Sequence, residues 1–496
     1  MNIRDRIREK VADPALQAAL DGNAEKRVRG RSAAFASLPD WPQRRQRAHA
    51  VRAEVIANLD SYLAQFIRKV EGNGIRVHRA SDAAEAVAIV LDIVSSSARQ
   101  SGGALVAKSK SMVSEEIELN HALEAAGHRV VETDLGEYII QLRGERPSHI
   151  ITPAVHLRRH EVGQLFAEKL GIPYTEDIPT LTNTARRVLR QVFLTADVGI
   201  SGVNFGVAET GTLTLVTNEG NGRMVTTLPP VHIALMGMER LLPTLDDLAL
   251  FLSLLPRSAT GQKLSVYTQL IHAPEDVQQK HLVIVDNGRE AMRQGPLREA
   301  LYCIRCGACL NACPVFREIG GHAYVGATGS IAPYPGPIGS VVSPGLLGGE
   351  FAHLAQASTL CGACKDACPV DIDLPMLLTR VRAGQIPAQS GAPQQGMGLP
   401  GAVRLGLWAY ARAATRPALF GAAQKAAGLG AGLVAPQGWL KLPVFTGWGF
   451  SKDMPRPAAV PFRERWKHLE HRVAERAEFQ EKVESREIKT GDALVT

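Results

Sequence analysis

Apolar and polar residues alternate along the chain with two different periods, and the change of period predicts where helices give way to strands. In the first 70 or so residues, apolar side chains recur at helical spacing among acidic and basic ones. The apolar positions are Val55, Leu59, Tyr62, Leu63 and Phe66. We therefore expect helices here, each burying one face.

From about residue 75 to 285, short apolar runs alternate with amphipathic segments. GIRVH, GALVAKSK and RVVETD have the composition of strands, whereas DAAEAVAIVLDIVSSSA and SEEIELNHALEAAG, which lie between them, have helical periodicity. Regular alternation of strand and helix is typical of an α/β domain with a mostly parallel sheet. That fold is our expectation for this region.

Four further segments carry local signals. VAETGTLTLVTNEGNGRMVTTLP alternates apolar and polar residues around a turn at 218–222 and predicts a hairpin. Residues 320–349 are so rich in Gly and Pro that we expect a long loop. DIDLPMLLTRVRAG, after the last cysteine, predicts an amphipathic helix. Residues 385–400 are rich in Gln, Gly and Pro and predict a linker, which is followed by a partly helical C-terminal section.

Length, composition and charge narrow the class of protein. A chain of 496 residues suggests about three domains, and 45% hydrophobic with 21% charged residues is typical of globular proteins. The net charge of +7 is spread along the chain, unlike the basic stripe of a nucleic-acid-binding protein. The N-terminus lacks a signal-peptide core, the Arg44-Arg45 pair lies in a charged stretch, and no apolar run is long enough to span a bilayer. We expect a cytoplasmic protein without a transmembrane segment.

All seven cysteines lie between residues 303 and 368, in two similar runs. The first, CIRCGACLNACPV, has the CxxCxxCxxxCP spacing of bacterial ferredoxins, in which closely spaced thiolates bind an iron–sulfur cluster. The second, STLCGACKDACPV, has Ser358 where the first has Cys303. Structural zinc is the main alternative but usually takes paired CxxC motifs, and disulfides do not suit a reducing cytosol. The pattern favours iron–sulfur.

In two-cluster ferredoxins the fourth cysteine of each run ligates the other cluster. Applied here, that rule gives cluster one a complete set of thiolates, namely Cys303, Cys306, Cys309 and Cys368. Cluster two receives three, namely Cys313, Cys361 and Cys364. Its fourth corner faces Ser358. The iron at that corner could be ligated by the serine, by water or by a residue of a partner. It could also be absent, which would leave a [3Fe–4S] cluster. We expect two iron–sulfur clusters, [4Fe–4S] at both sites, with the second thiolate set incomplete.

Motifs spread from about residue 40 to 470 resemble the lactate utilization protein B family. They are DLGEYIIQL, HIITPAVHLRRHEV, GVNFGVAETGTLTLVTNEGN, RSATGQ, CIRCGACLNACPVFREIGGHAY, YPGPIG, STLCGAC and GWGFSKDMPRPA. The resemblance implies an α/β LUD domain, similar to the ribose-phosphate isomerase and CoA-transferase-like fold, followed by an α-helical two-cluster ferredoxin-like domain and a family-specific C-terminal region. The family's second run also has three cysteines. The stretch VGATGSIAP is longer than the family's link to YPGPIG.

The predicted organisation is an N-terminal helical region (1–70), the LUD domain (71–290), the ferredoxin-like domain (291–385), and a linker with the C-terminal region (386–496). The resemblance implies an electron-transfer subunit of a complex that oxidises L-lactate to pyruvate and allows growth on lactate. Its partners would be a cysteine-rich subunit and a smaller LUD subunit. Nucleic acid is not expected as a partner, and the resemblance allows peripheral contact with a membrane. The alternatives are a self-sufficient LUD-domain enzyme acting on a small organic acid, and an iron–sulfur sensor or scaffold.

Other candidate sites are weaker. The turn at 218–223 could cradle an anion with Arg223 as donor, although a plain turn explains the same residues. Lys108 and Lys110 follow a predicted strand and precede a helix, where an anion would be favoured. Glu209 could be a catalytic carboxylate, but a structural role is the better interpretation. No catalytic residue is assigned.

Two patterns resemble binding motifs without completing them. His156 and His160 have the spacing of metal ligands on a helix, but no third ligand is near in sequence, so a solvated face is the better interpretation. GLGAG at 428–432 lacks the full GxGxxG pattern and a preceding strand. The chain therefore shows no motif for a nicotinamide or flavin.

Overall fold

The structure is a computed structural model. It describes residues 3–99, 102–274, 278–387, 401–442, 453–467 and 469. The chain divides into two compact units, residues 1–398 and 399–496.

The first unit begins with helices, as the spacing of apolar residues predicted. They are α1 (Ile3–Val11), α2 (Pro14–Ala36), α3 (Trp41–Ala57) and α4 (Leu59–Gly72). Asp13 caps α2 by accepting hydrogen bonds from the backbone N–H groups of Ala15 and Leu16, and Pro14 occupies the first helical position, where no N–H is needed. The prediction of N-terminal helices is confirmed.

The α/β region contains two sheets. Its strands are β1 (Arg76–Ala80), β2 (Leu105–Lys108), β3 (Arg129–Glu132), β4 (Val198–Gly202), β5 (Phe205–Val207), β6 (Thr212–Thr217), β7 (Val231–Gly237), β8 (Leu241–Leu242), β9 (Tyr267–Ile271) and β10 (Gln279–Val285). Its helices are α5 (Ala83–Ser96), α6 (Met112–Glu116), α7 (Leu119–Ala125), α8 (Leu135–Arg143), α9 (Arg159–Leu170), α10 (Ile178–Thr195), α11 (Asn221–Thr227) and α12 (Leu245–Ala259).

The main sheet has six parallel strands in the order β1-β10-β7-β4-β2-β3. Successive side chains of a strand point to opposite faces, and helices cover both faces. Val106 packs with residues of α5 and α7 on one face, whereas its neighbour Ala107 packs with residues of α8 and α10 on the other. The predicted parallel α/β domain is confirmed.

The hairpin predicted around residues 218–222 is wrong. In the second sheet, whose order is β8-β5-β6-β9, strand β6 pairs antiparallel with β5 and β9, and the chain after it enters helix α11. The helix buries Val225, whose carbonyl lies against Gly199 of β4 at a distance that excludes any side chain there. Burial against the main sheet therefore overrides the local alternation.

The cysteine-rich region is helical. It contains α13 (Arg289–Gln294), α14 (Ala308–Ala312), α15 (Pro314–Ile319), α16 (Gly336–Leu347), α17 (Ala363–Asp366) and α18 (Leu374–Arg382), with 3-10 turns at Arg298–Tyr302, Gly321–Ala323 and Gly349–Ala357. Helix α18 was predicted from sequence. It begins at Asp373, whose side chain accepts a hydrogen bond from the backbone N–H of Met376.

Helix α16 corrects the prediction of a continuous loop over residues 320–349. Pro337 lies in its first turn, where proline costs little. Ile338, Val341 and Val342 are fully or almost fully buried in the core of the cysteine-rich region. Tertiary burial thus stabilises a helix in which Pro344 and three glycines oppose helix formation.

One hydrophobic core joins α2, α3 and α12 to the cysteine-rich region, and a second joins α4 to the main sheet. The N-terminal helices therefore pack into both neighbouring regions, and residues 1–398 form one compact unit. The domain boundaries drawn from the sequence stay a prediction.

The second unit contains α19 (Gly401–Ala414), α20 (Pro417–Val434), β11 (Trp439–Leu440) and β12 (Met454–Pro455), of which the two strands pair antiparallel. The GLGAG sequence lies within α20, consistent with our rejection of a dinucleotide site. Most of the predicted linker, residues 388–400, lies outside the described residues. Among the described helices, none has both the length and the apolar character needed to cross a bilayer.

Candidate iron–sulfur site

The first cysteine run folds as a tight loop that leads into two short helices. Cys303 follows a 3-10 turn, and Cys306 is flanked by Arg305 and Gly307, both in the left-handed region with φ of 58° and 74°. Cys309 lies in α14, and Cys313 caps α15, whose first residue is a proline. The left-handed residues turn the backbone back on itself, so that sulfurs three positions apart converge on one volume.

The second run repeats this backbone. Leu360 and Gly362, with φ of 55° and 89°, flank Cys361 as Arg305 and Gly307 flank Cys306. Cys364 lies in α17, as Cys309 lies in α14. The two runs are thus structural copies, and the position equivalent to Cys303 is held by Ser358.

The seven sulfurs fall into two groups. Burial is the main cause of the raised pKa values of Cys306, Cys309 and Cys368, and a negative charge on Cys303 raises all three further. Cys368 acts in turn on Cys306 and Cys309. Cys361 acts instead on Cys313 and Cys364. We call Cys303, Cys306, Cys309 and Cys368 the inner set, and Cys313, Cys361 and Cys364 the outer set.

These groups coincide with the crossed ligand sets expected from the ferredoxin rule, since each contains one cysteine from the other run. The structure brings the residues together, and their assignment as ligands of two clusters stays a prediction. The inner set is largely buried, with Cys303 partly accessible, whereas Cys361 of the outer set is exposed.

The sulfurs are not drawn together as they would be around a single zinc ion. Zn–S bonds of about 2.3 Å in a tetrahedral site place the sulfurs about 3.8 Å apart. No three of the seven sulfurs lie within 4.8 Å of one another, although all seven cysteines are free thiols. A wider arrangement of sulfurs is compatible with a multi-iron cluster.

The chemistry of the thiols also fits an iron–sulfur cluster. Burial raises the pKa of Cys368 to about 12 and that of Cys364 to about 11, so neither thiol would ionise at neutral pH without a bound cation. Coordination to iron deprotonates a thiol outright. Backbone N–H groups of Arg305 and Ile372 point at the sulfurs of Cys303 and Cys368, at 3.3 and 3.4 Å, and such hydrogen bonds help to set cluster potentials.

Arginines from distant parts of the chain surround the inner set. Arg45 of α3 donates to the backbone carbonyls of Cys368 and Lys365, at 2.7 and 2.6 Å. Arg240, which follows β7, donates to the carbonyl of Cys303 at 3.1 Å. Buried Arg52 donates to the carbonyl of Leu301, just before the first run, at 2.8 Å. These contacts fix both cysteine loops and would offset the negative charge of thiolate ligands around a bound cluster.

A buried ion network connects these arginines to the carboxyl end of β7, a central strand of the main sheet. Glu239 accepts from Arg289 at 2.6 Å and lies 3.9 Å from Arg305, which stacks on the Tyr334 ring at 4.4 Å. Arg289 also forms a two-pronged pair with Glu116, both contacts at 2.8 Å. Burial alone would raise the pKa of Glu239, but Arg289, Arg240 and Arg305 outweigh burial and hold the pKa at about 2. Sequence reasoning missed these groups because nothing in the spacing of isolated Arg and Glu residues signals such partners.

Ser358 occupies the position of a ligand. Its Oγ accepts a hydrogen bond from the N–H of Leu360 at 3.1 Å, as the sulfur of Cys303 accepts one from Arg305. The equivalent hydrogen bonds show that the two side chains have the same direction relative to their loops. The fourth position of the outer set therefore carries a hydroxyl group in place of a thiol.

Changing Ser358→Cys is expected to complete the outer set and raise its iron content, because sulfur is the ligand that iron–sulfur sites select. Ser358→Ala should barely shift the cluster's spin signal, since a serine oxygen is a harder and less easily deprotonated ligand. Electron paramagnetic resonance with iron and sulfide analysis measures both. Gln356→Cys is the control, because its side chain is exposed in the 3-10 turn before the second run, at a position that has no counterpart among the cysteines. Equal effects of the two cysteine variants would contradict the corner assignment.

The remaining candidates are mostly structural. Buried Lys108 pairs with Glu132 at 2.5 Å and Lys110 with Glu137 at 2.7 Å, so neither lysine offers a free charge to an anion. Glu209 accepts from the N–H of Leu245 at 3.0 Å and so supports the start of α12, in agreement with the structural interpretation.

In the turn at 218–223, Arg223 is exposed and Asn221 is buried at the start of α11, so the anion cradle stays a prediction. His160 is exposed, as predicted, but His156 is not: it is partly buried beside Glu145 and His322. The expectation of a shared solvated face is therefore wrong for His156, because its neighbours come from distant segments.

Comparison with known proteins gives two family matches. The LUD domain family matches residues 63–292, and the 4Fe-4S dicluster domain family matches residues 299–372. The second match covers all seven cysteines and supports iron–sulfur clusters as the bound cofactor class.

Similar proteins align over most of the chain. An uncharacterized electron transport protein of Escherichia coli K12, YkgF, is 41% identical over 93% of this chain and 95% of its own length. Lactate utilization protein B of Bacillus pumilus SAFR-032 is 40% identical over 94% and 96%, and that of Bacillus subtilis 168 is 42% identical over 79% and 81%. A crystal structure of a DUF162 family protein from Deinococcus radiodurans aligns with 46% of this chain and 98% of that chain, at 12% identity and a TM-score of 0.25.

Proposed function

The chain belongs to the lactate utilization protein B family, and from that premise we propose that it transfers electrons within a complex that oxidises L-lactate to pyruvate. The iron–sulfur domain and the family together support an iron–sulfur role in lactate utilization. The specific reaction and the electron-carrying role are our proposal. Each lactate oxidised releases two electrons and two protons, and iron–sulfur clusters accept and pass on electrons singly.

The observation that carries the proposal is the arrangement of the two sulfur sets. The inner set is largely buried, in the same hydrophobic core as α16, whereas the outer set reaches the surface at Cys361. Shared runs hold the two sets next to each other, since Cys313 and Cys309 belong to one loop and Cys368 and Cys364 to the other. Electrons can thus enter or leave at an exposed site and reach a protected one.

We propose two clusters, [4Fe–4S] at both sites, with the inner set supplying four thiolates and the outer set three. The arginines around the inner set would stabilise its charge, and the backbone donors to Cys303 and Cys368 would tune its potential. Anaerobically reconstituted protein should then contain about eight iron and eight sulfide per chain, as two such clusters require. Stoichiometric zinc without acid-labile sulfide would refute the proposal.

The substrate chemistry is proposed to reside in companion subunits, a cysteine-rich one and a smaller LUD protein. The sequence has no nicotinamide or flavin motif to accept a hydride or an electron pair from lactate. We propose that this chain accepts the electrons from its partners, in the cytoplasm.

The isolated, cluster-loaded chain is expected not to oxidise L-lactate with a dye as acceptor. Co-purified with its partners, it should show lactate-dependent bleaching of the cluster absorption, and pyruvate should form. Cys368→Ser in the same complex is the control, because it removes one ligand of the inner set without touching the α/β region. Turnover of lactate by the lone chain would instead identify it as a self-sufficient enzyme.

A further inference from the structure

Away from the cysteines, one glutamate and two histidines come together from three separate segments. Glu145 lies just after α8, His156 lies before α9, and His322 lies in the 3-10 turn that follows α15. One ligating atom from each lies within 4.8 Å of the others, and all three residues are partly buried. We call this group the seam cluster, because it joins the α/β region to the cysteine-rich region.

The distances in the seam cluster suit a metal ion. The Nε2 atom of His156 lies 2.9 Å from Oε2 of Glu145. Two ligating atoms that are each about 2.0–2.2 Å from one ion are about 3–3.5 Å apart when they are neighbours in its coordination shell, so a slight separation of this pair would admit the ion. The His156 and His322 rings lie at 66° with centroids 4.6 Å apart, so a third donor is close to the same point.

Surrounding groups already orient the three side chains. Nε2 of His322 donates to the carbonyl of Arg146 at 2.7 Å, which leaves Nδ1 with its lone pair. Ligating histidines commonly use their other ring nitrogen in this way. Arg143 donates to Oε1 of Glu145 at 2.8 Å and leaves Oε2 for a second partner.

His156 has an unused ring nitrogen. Its Nδ1 is buried without a hydrogen-bond partner, and a buried acceptor left unpaired costs free energy. Nε2 is the nitrogen that faces Glu145 and would ligate a cation, whereas Nδ1 lies on the other side of the ring. A plain His–Glu hydrogen bond explains one nitrogen of this ring but not the other.

Backbone contacts fix the relative position of the two chain segments that carry the seam cluster. The N–H of Gly321 donates to Oγ of Ser148 at 3.1 Å, and any side chain at Gly321 would collide with the Ser148 carbonyl. This close approach places His322 beside the segment that carries Glu145. The site is therefore organised before any ion binds.

A cavity lies beside the seam cluster. Its volume is about 690 Å³, and Glu145 and His322 form part of its wall. Seven glutamates line it against two arginines and one lysine. Six of the seven are paired with a basic side chain, namely Lys10, Lys108, Lys110, Arg143 or Arg146, so the cavity wall is close to neutral apart from Glu124 and the seam cluster itself supplies the attraction for a cation.

We propose that Glu145, His156 and His322 bind one divalent transition ion, with open coordination positions facing the cavity. Two imidazoles and a carboxylate are typical ligands of Zn²⁺ and Fe²⁺, and three protein ligands leave room for water or a substrate. Mg²⁺ and Ca²⁺ prefer oxygen ligands and would bind weakly. This ion is separate from the iron–sulfur clusters and from the proposed electron transfer.

Zinc is the probe that tests the site. Full-length, cluster-loaded protein is incubated anaerobically with Zn²⁺, desalted, and analysed for zinc, iron and sulfide. We expect about one zinc per chain with iron and sulfide unchanged, and zinc-edge X-ray absorption showing only nitrogen and oxygen ligands. Retention of no zinc, or zinc bound by sulfur, would overturn the proposal.

Variants assign the zinc to its ligands. His156→Gln and His322→Gln should each lower zinc affinity by more than about 10-fold, since removing a ligand costs at least as much as removing its outer-shell partner. The matched controls are His160→Gln, on the exposed start of α9, and His121→Gln, on the same cavity wall. Zinc should also raise the unfolding temperature of the wild type but not of His156→Gln. Equal zinc affinity in ligand and control variants would refute the assignment.

Discussion

Cys368→Ser is expected to destroy the inner cluster and leave the outer cluster in place, although Cys368 lies far in sequence from Cys303, Cys306 and Cys309. The reason is that its sulfur belongs to the inner set, where it interacts with those of Cys303 and Cys306. A serine oxygen is a poor replacement for a thiolate at an iron–sulfur site. Iron and sulfide should fall by about half, and one of two electron paramagnetic resonance signals should vanish.

Cys313→Ser is the reciprocal variant. It should damage the outer cluster, which would retain only Cys361 and Cys364, and leave the inner signal unchanged. Both replaced residues occupy the last position of their runs and precede a proline, so the local change is matched. If both variants lose the same cluster, the crossed assignment is wrong. If each loses the cluster of its own run, the runs bind independently.

Arg289→Met is expected to be the most destabilising single replacement in the ion network. Arg289 is fully buried and pairs with Glu116 and Glu239, which are also buried. Burial alone would lower the pKa of Arg289, but these two carboxylates raise it well above its usual value. Removing the guanidinium leaves two buried negative charges without their main partner, a change that costs about 3–5 kcal/mol. The thermal midpoint of the cluster-loaded protein should fall by roughly 10 °C.

Arg293→Met on the same helix is the control. Arg293 pairs with exposed Asp60 and partly exposed Glu290, so its loss should cost less than about 1 kcal/mol. Circular dichroism during heating measures both variants. A similar fall in the two midpoints would show that the buried network contributes no more than a surface pair.

The fold was predictable from sequence wherever a pattern repeats over many residues. Alternating strands and helices predicted the parallel sheet. Both faces of each strand in such a sheet are buried, so each strand appears in the sequence as a continuous apolar run. The predictions failed where local and tertiary preferences disagree. Pro344 and its neighbouring glycines argue against a helix, yet α16 forms because Ile338, Val341 and Val342 fill a core that the local sequence does not show.

The sequence by itself determined the cofactor class, because the cysteines of each run are close enough in the chain for their spacing to dictate how the sulfurs converge. Only the tertiary structure decided which groups surround them. Arg45, Arg52 and Arg240 reach the inner set from α3 and from the end of β7. His322 meets His156 across the seam for the same reason. Such contacts join residues far apart in sequence, and they form because desolvated charges and unpaired polar atoms must find partners when the chain packs.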